Sequence, residues 1–192
     1  MSEAKPQILG LVGSPRRGLN TATLVEQALA GAAEAGAATE LVYLHECSLE
    51  PCDACNGCRD SGICVKGDGM RPLYGRLEAS RGLVLGTPIY FDHVSAQTKV
   101  FLDRLYPYVG PDMEKLYPAG VRAMLVGTWE AAGASQYDGV MDWLQERLAF
   151  YFGIETVAVL TAADTGTTPV WDRDDLQAEA RAAGCCLLAA VK

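Results

Sequence analysis

Residues 7–22 read QILGLVGSPRRGLNTA: an apolar run ending in glycine, a polar bend, and the start of an Ala-rich stretch. Gln7–Gly13 has the length and composition of a buried strand. Residues 21–35, TATLVEQALAGAAEA, place Leu24, Ala28 and Ala32 at helical spacing. A helix N-terminus set beside a strand end offers free N–H groups and a positive dipole, which suits an anion such as phosphate. Ser14, Asn20 and Thr21 add side-chain donors, Arg16 adds charge, and Gly13 and Gly18 let the backbone fold closely round the anion. The bend lacks the Gly-Lys-Ser/Thr ending of a P-loop and is not G-x-G-x-x-G. The competing reading is a surface bend with Asn20 as an ordinary helix cap.

The same alternation continues outward. Thr39–Leu44, Gly82–Thr87, Gly120–Gly127 and Ile154–Leu160 read as further strands. Val94–Tyr106, Gln136–Phe152 and Asp172–Val191 read as helices, the last capped by Asp172 or Asp174. Strands separated by helices predict an α/β fold with a parallel sheet covered on both faces. The handedness of crossovers leaves few topologies, one of which, a flavodoxin-like, doubly wound, five-stranded sheet of order 2-1-3-4-5, is the expected fold. Ligands sit beyond the strands' carboxyl ends in such sheets, so the loops after Gly13, Leu44, Thr87 and Gly127 are where chemistry is expected.

Composition narrows the function. The 192 residues are 49% apolar and 21% charged, as in a globular protein, and read as one domain, 1–192. A net charge of −8 argues against nucleic acid and anionic lipid as partners. No apolar run nears the ~18 residues of a membrane span. The start, MSEAKPQILG, lacks the pattern of a secretory signal, so a cytoplasmic location is expected.

Gly86–His93, GTPIYFDH, brings Pro88, Ile89, Tyr90 and Phe91 directly after a buried strand. Flat apolar side chains there suit a planar heteroaromatic ring. Equally, Tyr90 and Phe91 could cover the sheet edge or a subunit contact. Taken together, GSPRRGLNTATL (13–24) and TPIYFDHVSAQTKVFLDRL (87–105) resemble the NAD(P)H-dependent FMN reductase family of the flavodoxin superfamily. The resemblance implies FMN as cofactor. It assigns the phosphate to Ser14, Arg16, Asn20, Thr21 and Ala22, and the isoalloxazine to Pro88, Ile89, Tyr90 and Phe91. Thr128 and Trp129 would flank the ring or ribityl chain. It also implies a homodimer or homotetramer, with NAD(P)H as a candidate donor.

Residues 52–64, CDACNGCRDSGIC, hold Cys52, Cys55, Cys58 and Cys64 at C-x2-C-x2-C-x5-C spacing, within a cysteine-rich loop over about 47–67. Thiolates this crowded repel one another unless a cation or cluster takes up their charge. Iron–sulfur clusters use short C-x2-C-x2-C runs with one further cysteine, and Gly57 and Gly62 would let the loop wrap. A four-cysteine zinc site and vestigial cysteines are the alternatives. The spacing resembles the motif of the iron–sulfur flavoprotein subgroup of the same family, which implies a [4Fe–4S] cluster on those four residues. Cys47 reads as a strand-end core residue, and Cys185 and Cys186 as buried small hydrophobes.

Other residues need no chemistry. His45 and His93 accompany no zinc or hydrolase motif. Asp172, Asp174 and Asp175 complement a helix dipole, and Trp143 and Trp171 read as packing residues. No side chain is assigned as catalytic, because the cofactors carry the reaction. The expected function is a flavin oxidoreductase with a [4Fe–4S] cluster, coupling a ferredoxin-like donor to quinone, dioxygen or peroxide. A clusterless NAD(P)H-dependent FMN or quinone reductase is the second reading. A non-enzymatic metal- or flavin-bound redox sensor is the third.

Overall fold

A computed structural model describes residues 7–190. Residues 1–6 and 191–192, on which the readings of the N-terminus and of the final Val191 bear, lie outside the described residues. Five strands form a parallel sheet: β1 (Gln7–Val12), β2 (Ala38–Tyr43), β3 (Gly82–Tyr90), β5 (Arg122–Thr128) and β6 (Glu155–Ala162). Their order is β2-β1-β3-β5-β6.

The expected order 2-1-3-4-5 is corrected by one added strand. β4 (His93–Val94) folds back antiparallel on β3, pairing Ile89 with Val94 and Tyr90 with His93. The two residues between, Phe91 and Asp92, have φ of 47° and 61°. A two-residue hairpin with both central residues left-handed matches the sheet's twist. Gly82–Thr87 therefore does not end at Thr87 but runs on through Pro88, Ile89 and Tyr90. The following helix starts later than Val94 for the same reason. It is α4 (Ala96–Asp103), capped by Ser95, whose hydroxyl accepts from the Thr98 N–H at 3.2 Å.

Alternation along the strands sorts two cores. Ile8 and Val12, Val84, and Met124 and Val126 face α1 (Asn20–Glu34) and α6 (Asp174–Ala190). Leu9 and Leu11, Leu83 and Leu85, and Ala123 and Leu125 face α3 (Met70–Ala79), α4 and α5 (Asp138–Arg147). α5 runs on as a π turn over Leu148–Phe152. The sequence reading named no helix at 70–79, although Met70, Leu73 and Leu77 are buried at helical spacing. Among the described residues no helix is long and apolar enough to cross a membrane.

Two other expectations change. Cys185 and Cys186 are exposed, not buried. α6 buries Ala180, Gly184, Leu187 and Leu188, and the two cysteines fall on the far side of that stripe. Trp171 is 46% exposed, on the short 3₁₀ turn Val170–Asp172 before α6. Trp143 does pack against the core, with the His93 ring edge-on at 4.6 Å.

Candidate functional site

The chain leaves β1 for β2 on one side and returns to β3 on the other, so the crevice above β1 and β3 is the switch point of the sheet. A cleft of about 100 Å³ opens there. Ser14, Arg16, Asn20 and Thr21 line one side, and Pro88, Ile89 and Tyr90 another. Thr128 and Trp129 close it from the end of β5. Nine of the eleven residues expected at a cofactor thus meet in one place.

The phosphate end is built by an uncapped helix. Leu19 sits at the N-cap of α1 and makes no side-chain cap, and no acidic residue occupies the first turn. The first N–H groups therefore meet an electropositive opening rather than a carboxylate. Ala22 is buried and does not line the cleft; what it offers is its backbone N–H in that first turn. Asn20 is not a cap, since its side-chain carbonyl accepts from the Val170 N–H at 2.9 Å. Ser14 accepts the Arg16 N–H at 3.2 Å, which fixes the bend. Arg17 is engaged by Glu46 and by the Tyr43 ring, leaving Arg16 on the cleft.

The floor is tightly tied. The hydroxyls of Thr21 and Thr128, buried and far apart in sequence, lie 2.7 Å apart. Ser95 donates to the Gly13 carbonyl at 2.8 Å, and the Gly13 N–H donates to the Gly86 carbonyl at 2.7 Å. Trp129 is buried, its indole N–H bonded to the Gly133 carbonyl at 3.0 Å and its ring edge-on to Tyr137 at 5.4 Å. Phe91 is fully exposed at the hairpin tip and is not brought into the cleft. Leu19, Glu130 and Thr165 line it without having been anticipated. Thr165 follows β6, whose trailing loop the switch-point rule could have included.

The cysteine segment lies between β2 and α3. Its regular structure is one short helix, α2 (Cys58–Ser61), after a 3₁₀ turn at Leu44–Cys47. Cys52 and Cys55 are exposed, while Cys58 and Cys64 are half-buried. Burial pushes the Cys58 thiol up, and the charges of Cys64, Cys52 and Cys55 push it the same way. Among the described residues, however, no three His, Cys, Asp or Glu side chains are grouped so as to hold a metal ion. Left-handed backbone occurs at Ala54 and Asn56, φ 56° and 61°, and at Gly62, φ 67°. Gly57, expected to help the loop wrap, has an ordinary φ of −59°. The left-handed Asn56 followed by the right-handed Gly57 is the backbone arrangement that turns successive N–H groups into a concavity, as many iron–sulfur sites do. Four thiols and such a nest fit a cluster in kind and number. Cys47 lies at the end of the 3₁₀ turn, half-buried, its thiol donating to the Tyr43 carbonyl at 3.5 Å.

Known proteins bear on both regions. A family model described as NADPH-dependent FMN reductase matches residues 6–166. An iron–sulfur flavoprotein of Methanocaldococcus jannaschii is 40% identical over 101 residues, 53% of this chain and 52% of its own. The chain spans about half the length of this and the next such relatives it matches. An iron–sulfur flavoprotein of Archaeoglobus fulgidus is 31% identical over 173 residues, 88% of this chain and 85% of its own. Among solved structures, an NAD(P)H:quinone oxidoreductase from Methanothermobacter marburgensis superposes with a TM-score of 0.77 at 19% identity. It covers 96% of this chain and all of its own. That likeness shows the fold, and the sequence matches show the kinship: the chain belongs to the NADPH-dependent FMN reductase family, among relatives that are iron–sulfur flavoproteins.

Proposed function

We propose that the chain is a single-domain, FMN-dependent oxidoreductase of the iron–sulfur flavoprotein kind. It would move electrons from a ferredoxin-like donor, or from NAD(P)H, to a small acceptor such as quinone, dioxygen or peroxide. A cytoplasmic homodimer or homotetramer belongs to the same reading. The observation that carries it is the convergence of nine of the eleven expected flavin residues on one cleft.

When bound, FMN exchanges electrons in pairs or singly, and a [4Fe–4S] cluster passes them one at a time. The chain supplies placement. The first turn of α1, with Ser14 and Arg16, receives the phosphate. Asn20 has its carbonyl committed to Val170, so its NH₂ is the group left to donate. Pro88, Ile89 and Tyr90 give the ring an apolar wall, and the doubly held Trp129 keeps its side of the cleft closed to water. Cys52, Cys55, Cys58 and Cys64 would hold the cluster.

Anaerobic purification, followed by iron, sulfide and flavin assay and visible spectra before and after dithionite, tests this. About four irons, matching sulfide and one FMN per chain are expected. FMN without iron would turn the assignment to a clusterless NAD(P)H-dependent FMN or quinone reductase. Protein without flavin would overturn both.

A further inference from the structure

Arg104 follows α4, outside the cleft, and its side chain is 1% exposed. A guanidinium at that depth requires partners for its N–H groups. Nη1 donates to Asp68 Oδ2 at 2.5 Å and Nη2 to Asp68 Oδ1 at 2.9 Å, a two-pronged pair. Nη1 also donates to the Glu50 carbonyl at 2.7 Å, and Nη2 reaches Cys64 Sγ at 3.4 Å. Nε has no partner among the described residues. Asp68 in turn accepts the N–H groups of Glu50 at 2.8 Å and Met70 at 3.1 Å. One buried cation therefore joins both ends of the cysteine segment, residues 50 and 68, and touches one of its four sulfurs.

A purely mechanical clamp would need only Asp68 and Glu50. The contact with Cys64 has a different character. A neutral thiol is a poor acceptor, while a thiolate bound to metal is a strong one for a charged N–H. Resting on the cluster assignment above, we propose that Arg104 is a positioning residue that holds Cys64 in place as the fourth ligand. Through its N–H to sulfur bond it favours the more reduced, more negative state of the cluster. Hydrogen bonds to the sulfurs and local net charge set such potentials. Asp68, the counter-charge on the same guanidinium, opposes the effect.

The test is a redox titration of anaerobically purified holoprotein, followed by electron paramagnetic resonance for the cluster and by absorbance for the flavin. Arg104→Gln should shift the cluster potential down and Asp68→Asn should shift it up. Arg104→Lys, which keeps the charge and guards against a misfolded glutamine variant, should shift it less than Arg104→Gln. The flavin potential should stay put in all three. Wild-type protein without iron overturns the cluster assignment and this inference with it. Wild type with iron, and variants that lose iron equally while the remaining cluster keeps its potential, would reduce Arg104 to a clamp and overturn the inference alone.

Discussion

The cleft and the cysteine segment are neighbours in the chain's architecture but are held by opposite means. The cleft rests on buried side chains of α1, β3 and β5 and the loops beside them, with Thr21 on Thr128 at 2.7 Å and Asn20 on Val170 at 2.9 Å. The cysteine segment exposes Cys52 and Cys55 and even its apolar residues, with Ile63 60% and Val65 59% exposed. Its buried anchorage is at the ends, on Arg104 and Asp68, while between them Arg59 lies over the Tyr106 ring at 4.7 Å on the surface. Between them the backbone carries left-handed turns at Ala54 and Asn56, which non-glycine residues adopt at a cost. The comparison teaches that the sheet makes one site by itself, whereas the cysteine segment is an exposed loop pinned to the body by a buried ion pair.

The largest effect should come from breaking the self-made site. A Cβ at Gly13 would lie 1.9 Å from the Thr98 hydroxyl and 3.1 Å from the Gly86 carbonyl. Gly13→Ala must push β1 and α4 apart at the cleft floor, so a loss of about 3 kcal/mol of stability is expected. Urea unfolding measures it, and flavin content should fall in the folded fraction. A Gly13→Ala protein with wild-type stability and full flavin would show that the cleft floor is looser than its hydrogen bonds indicate.

The next test loosens the other region alone. Arg104 beside Asp68 holds that carboxyl at about 2, below the usual carboxylate value. A carboxyl lowered on folding contributes fully above its unfolded pKa near 3.9 and loses that contribution as pH falls through about 2. Its worth at neutral pH is on the order of 2 kcal/mol. Asp68→Asn should lower the Tm of cofactor-free protein by about 5 °C at pH 7. It should also flatten the stability loss between pH 4 and pH 2. Hydrogen exchange should show residues 50–68 opening first, with β1 and β3 still protected. An unchanged acid profile would mean that the pair does not fasten the segment.

The two regions also differed in how far they could be read from residues. The strand, bend and helix at 7–22 are local patterns, so Ser14, Arg16, Asn20 and Thr21 were legible, as were the strand order's five long members. Phe91 was misplaced because TPIYFDHV lacks the Asn-Gly or Asp-Gly pair that announces a type I′ hairpin: Phe91 is a poor residue for positive φ, and Asp92 stands where glycine is usual. Pro88 suggested a loop, yet it sits in β3 opposite Thr128. The cysteine spacing gave the donor set, but not that positive φ would fall on Ala54 and Asn56 rather than Gly57. Arg104 was invisible. Its helix looked ordinary, and the carboxylate that buries it lies 36 residues away.

The smallest effect bears most directly on how the cysteine segment is held. Ala54 has φ of 56°, where a Cβ crowds the following carbonyl and costs about 1 kcal/mol or more. Glycine removes that cost but adds freedom to the unfolded chain, so Ala54→Gly should stabilise cofactor-free protein by roughly 0.5 kcal/mol. That corresponds to a rise of about 1–2 °C in Tm. Gly57→Ala is the control, because φ there suits any residue. Its Cβ would meet only the exposed Val65 side chain, the nearer methyl at 2.8 Å and the other at 3.4 Å. Its expected change is near zero or slightly negative. The strain at Ala54 then belongs to the loop without any cofactor, and the proposed cluster ligands would sit on a backbone already bent. A fall in Tm on Ala54→Gly would place that bend in the cofactor-bound protein alone. The segment would then take its shape from the proposed cluster, and its contrast with the self-standing cleft would be sharper still.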